Sequence, residues 1–85
     1  MSTSLYWAPP PAARKEKPIG YLKYIIGEHY EPGYNGGEIN ATAGDELIPF
    51  LKGVVAAAGK EVADDALELI AAIERFGTVE LYTHC

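Results

Sequence analysis

Polar and apolar residues between Glu61 and Phe76 repeat with the period of a helix. Glu61, Asp64, Asp65 and Glu68 recur at spacings of three and four, and Val62, Ala66, Leu69, Ile70, Ile73 and Phe76 fall opposite them. At 100° per residue the acids occupy roughly a 100° arc and the apolar set about 120°. This is the pattern of an amphipathic helix over 61–76 with an acidic outer edge. Gly77 follows as its left-handed C-cap.

A second helix is expected over 46–58. Asp45 stands where an N-cap belongs, Pro49 falls in the first turn, where no internal hydrogen bond is lost, and Leu47, Phe50, Leu51, Val54 and Val55 supply an apolar face. Gly59 ends it, so 46–58 and 61–76 read as a helical hairpin. A first helix is expected over 18–31, with Pro18 in its opening turn and Ile19, Leu22, Ile25, Ile26 and Tyr30 at helical spacing, closed by Pro32. Gly20 and Gly27 would share a side of it at about 1 kcal/mol each relative to alanine, which suggests either close approach of another backbone or a weak, irregular helix.

Strands are expected at both ends of the chain. Ser4–Trp7 is rich in β-formers and is stopped by Pro9, Pro10 and Pro11; 78–83 sets Val79 and Leu81 against Glu80 and Tyr82. Residues 8–17 read as a proline-rich, charged connector, and 31–44 as Gly-rich loop with a brief edge strand at Glu38–Ala41. The expected architecture is a single α+β domain spanning 1–85. Its order is β-α-α-α-β, with the two terminal strands paired and the hairpin packed on them.

Charge narrows the functional classes. Twelve Asp and Glu against seven Lys and Arg give a net charge of −5, a surface that repels phosphate backbones, so direct nucleic-acid binding is not expected. Arg14, Lys15 and Lys17, interrupted by Glu16, read as a solvated linker. The single cysteine, Cys85, permits no intramolecular disulfide. Without a membrane-length apolar run or a signal-peptide pattern, a cytoplasmic protein is expected, in which the acceptor sequence at Asn40 is a chance match.

No catalytic residue, cofactor or metal site emerges. Gly53 to Glu61 approaches a phosphate-binding loop, but its glycine spacing is one residue too long and an acid stands where the magnesium-holding hydroxyl belongs. As a DNA reader the hairpin would turn Asp64, Asp65 and Glu68 toward phosphates. His29 lacks ligand spacing, and His84-Cys85 lies at the chain end. Carboxylates along a wet helix face have no burial to set an acid apart from a base, and those in the first turns also favour the helix dipole.

Two contact surfaces are expected instead. One is the acidic stripe Glu61, Asp64, Asp65 and Glu68. The other is the loop that interleaves Tyr30 and Tyr34 with Glu31 and Glu38, backed by Tyr21 and Tyr24. The expected function is that of a small acidic, non-enzymatic interaction protein. It would inhibit or regulate a larger protein by occupying its basic, nucleic-acid-binding surface, by analogy with phage-encoded inhibitors. The alternatives are a homo-oligomeric structural subunit, built through the terminal strands and the Gly20/Gly27 face, and a small metal- or nucleotide-binding protein.

Overall fold

The computed structural model describes residues 4–8, 17–18, 20 and 22–84. In chain order these form β1 (Ser4–Ala8), β2 (Lys17–Pro18), α1 (Leu22–Tyr30), β3 (Asn40–Ala43), a single 3-10 turn (Asp45–Leu47), α2 (Ile48–Ala57), α3 (Lys60–Phe76) and β4 (Val79–His84). The fold is α+β, and the terminal strands pair. They do so antiparallel, with Leu5 opposite Thr83, Tyr6 opposite Tyr82 and Trp7 opposite Leu81.

The sheet order is β2-β1-β4-β3. The two ends of the chain are therefore the inner strands, and each has a neighbour on both sides. Alternation along β1 and β4 sends Leu5, Val79 and Leu81 to the helix-covered face, all of them buried. Tyr6 and Tyr82 stack on the other face, ring centroids 5.9 Å apart. One cluster joins the sheet to Leu22 and Ile26 of α1, Leu51 and Val54 of α2, and Ala66, Leu69, Ile70, Ala72 and Ile73 of α3.

Several boundaries differ from the pattern's expectations. Pro18 does not open a helix; it lies in β2, opposite Tyr6, at the sheet edge, where a residue without an N–H is tolerated. Gly20 follows at φ +68°, and α1 starts only at Leu22. Gly20 is thus outside the helix, and there is no shared Gly20/Gly27 face. The edge strand lies at 40–43 rather than 38–41, because Ala43 pairs with Val79 and the carbonyl of Ile39 accepts from the Thr83 N–H at 3.0 Å.

Asp45 does not cap a helix. Gly44 occupies that position, and the Glu46 carboxylate reaches back to accept from the Gly44 N–H at 3.0 Å. Phe76, expected in the core, is 40% exposed beside the Arg75 guanidinium, whereas Ala72 is buried in its place. Of the connector expected over 8–17, Ala8 ends β1 and Lys17 opens β2, so both ends belong to the sheet; residues 9–16 with the proline run, Arg14 and Lys15, together with Ile19, Tyr21 and Cys85, lie outside the described residues. Among the described residues no helix is long and apolar enough to cross a membrane.

Candidate functional site

The acidic stripe stands on the first half of α3, whose inner side is anchored by Ala66, Leu69, Ile70 and Ile73. Glu61 and Asp64 are exposed, and Asp65 and Glu68 are half-buried. Asp64 accepts from the Lys60 ammonium at 2.9 Å, with both side chains open to solvent. Such a pair is worth about 0.5 kcal/mol or less. Glu61, Asp64 and Asp65, with Val62 and Gly20, wall a hollow of about 390 Å³.

Gly20 explains how that hollow is built. A Cβ on Gly20 would stand 3.2 Å from a carboxylate oxygen of Asp65, and its φ of +68° is one that side-chain-bearing residues rarely adopt. The glycine lets the chain turn into α1 directly against the stripe. Carboxylates grouped this way accept hydrogen bonds from ammonium and guanidinium groups. Among the described residues no group of three His, Cys, Asp or Glu side chains could hold a metal ion.

The tyrosine loop lies beyond the other end of α1. The Tyr34 ring covers Gly27, where even a methyl group would overlap it, and its hydroxyl donates to the Gly37 carbonyl at 2.7 Å. Tyr24 leans on Tyr34 with centroids 6.0 Å apart, and the Glu28 carboxylate accepts from the Gly33 N–H at 3.0 Å. Gly27 is therefore the seat of the loop's own tyrosine. Burial raises the Tyr34 hydroxyl above the ordinary tyrosine range, helped by Tyr24 and Glu31.

Tyr30 is 36% exposed at the last turn of α1. Burial raises its pKa as well, and the charge of Glu46 adds to the shift. His29 packs its ring on Phe50 at 4.3 Å and meets Tyr30 edge-on at 5.1 Å, so it serves as an aromatic spacer between α1 and α2. Glu31 and Glu38 are exposed. The stripe meets the chain at Gly20, just before α1, whereas the loop leaves from the end of α1 and folds back along it, Tyr34 over Gly27 and Gly36 near the Tyr24 ring.

The structure adds features that the sequence reading passed over. Glu46 joins Tyr30, drawn there by the turn at 45–47. An apolar groove of about 570 Å³ is lined by Ile25, Pro49, Phe50, Gly53, Val54, Ala57 and Ala58. Its signal was present in the text of α2, IPFLKGVVAA, where Lys52 is the one charge and no polar face answers the apolar one. The phosphate-loop resemblance ends here too, since Gly53 lies within α2 and not in a loop. No protein-family model, curated protein or solved structure matches this chain.

Proposed function

We propose that the protein is a non-enzymatic interaction module that binds a basic surface of a larger protein through Glu61, Asp64, Asp65 and Glu68, in the manner of an inhibitor or regulator. The observation that carries this reading is the grouping of three of these acids around one hollow on a helix fixed to the core. No described Asp or Glu is buried, so the charge is all surface charge. Lys23, by contrast, is 4% exposed. A surface biased this way steers basic partners and repels nucleic acid. The setting that goes with this reading is the cytoplasm.

Self-assembly has less support. β1 and β4 already have neighbours on both sides, and Gly27 is occupied by Tyr34. The test is capture from a lysate of the cells that make the protein. A basic protein should be retained, released at high salt, and lost when Asp64, Asp65 and Glu68 become Lys. Unchanged capture by that triple variant rejects the stripe as the binding surface.

A further inference from the structure

Resting on that reading and deepening it, we infer that the partner element is a basic amphipathic helix whose apolar side seats in the groove between α1 and α2. Two rows on α2 line it, Pro49, Gly53 and Ala57 at intervals of four and Phe50 and Val54 beside them, with Ala58 just past the helix end. Ile25 of α1 forms the far wall. Rows of this spacing are the ridges between which another helix packs. The stretch from Pro49 to Ala57 is about 12 Å long, enough for anchors at i, i+4 and i+7.

Gly53 supplies an independent observation. Glycine inside a helix is disfavoured relative to alanine, and elsewhere in this chain the exception has an internal cause: at Gly27 the Tyr34 ring takes the space. A Cβ on Gly53 would meet nothing within 4 Å. The chain itself gains no packing from the missing side chain. What does gain is close approach to the groove floor from outside.

Charge selects the occupant. The groove ends near Asp45 and Glu46, just before Pro49, and near Glu61, three residues after Ala58; Glu28 stands one turn beyond Ile25. All of these are exposed. Two exposed cations are close in sequence, Lys52 on α2 and Lys60 between Ala58 and Glu61, and Lys60 is paired with Asp64 at 2.9 Å. Acids at both ends repel fatty-acid carboxylates and a second copy of this acidic chain. They attract a helix with an apolar centre and Lys or Arg toward its ends.

The probe is a synthetic amphipathic Leu/Lys helix of about four turns, labelled for fluorescence anisotropy against the full chain. A scrambled peptide of equal composition, with leucines spread all round, is the control. Gly53→Leu fills the groove from a position with open space, and Ala57→Leu does so from the next turn; circular dichroism checks that each folds. The expected result is tight binding of the amphipathic peptide only, weakened about tenfold or more by either leucine. Equal binding of both peptides, or wild-type affinity in both leucine variants, overturns the groove.

The Lys triple variant at 64, 65 and 68 separates the two readings. Loss there with no effect of the leucines leaves the stripe as a binding surface and rejects the groove. Loss with the leucines alone keeps the groove and rejects the stripe. A concentration-dependent dimer abolished by Gly53→Leu, or displacement of the peptide by a long-chain fatty acid, names another occupant and overturns the proposal.

Discussion

The helices of the hairpin, α2 and α3, bury one side each against the same core and differ in what they do with the other. α3 turns mainly charged residues outward, with Leu67 and Phe76 also exposed. α2 carries a single charge, buries Leu51 and Val54, and presents Pro49, Gly53 and Ala57 to solvent along a groove. The difference separates two kinds of apolar surface. Most of the hydrophobic stripe on α3 is accounted for by the core, with Leu67 and Phe76 left exposed, whereas on α2 a continuous row that the core does not use lines a groove.

The largest expected effects lie where the helices are alike. Leu51→Ala in α2 and Ile73→Ala in α3 each empty a fully buried site. Each should lower the unfolding free energy by about 2–5 kcal/mol in urea titration. Phe50→Ala, on the groove side of α2, should cost clearly less than Leu51→Ala because its ring is only partly covered. Equal costs at 50 and 51 would mean that the groove wall is core, and the contrast between the helices would fail.

How much of this was legible in the sequence follows the same division. The period of 3.6 placed α3 almost to the residue, because buried and wet positions alternate sharply along it. The terminal strands were legible from alternation, but their antiparallel pairing and inner position depend on β2 and β3. Those are short edge strands with little pattern of their own: Lys17–Pro18 pairs through backbone, and a proline there looks like a helix start. The stripe was legible as a set of residues. Its hollow was not, since it needs Gly20 at positive φ, and the seating of Tyr34 over Gly27 needs the fold of the loop back along α1. The α2 groove was legible only as an absence of polar residues.

Glycines offer a sharper contrast of sign. Gly77, at the C-terminus of α3, has φ +85° and ψ −46°, where a side chain is strained, so Gly77→Ala should destabilise by about 1–3 kcal/mol. Gly53 is helical with open space at its Cβ, so Gly53→Ala should stabilise by about 1 kcal/mol. Opposite shifts in thermal midpoint check the pair. A loss at Gly53 would show that its environment is already closed.

The smallest effect concerns how α2 begins. Neither helix has a side-chain N-cap; in place of one, Glu46 folds back, and hydrogen bonds from the Gly44 N–H and from its own N–H hold its carboxyl below the ordinary glutamate range. A carboxylate whose pKa is lower folded than unfolded releases its proton more readily in the native state. Its contribution is therefore complete above the ordinary value and is lost as pH falls through the folded one. The stability difference between wild type and Glu46→Gln should be constant near neutrality and shrink as pH drops below about 4. Urea midpoints from about pH 6 to pH 3 read this directly. The rest of the acid slope comes from carboxylates common to both proteins and cancels in the subtraction. A difference that does not change with pH would mean that Glu46 acts at this turn through its shape and not its charge, leaving α2 without an electrostatic anchor at either end.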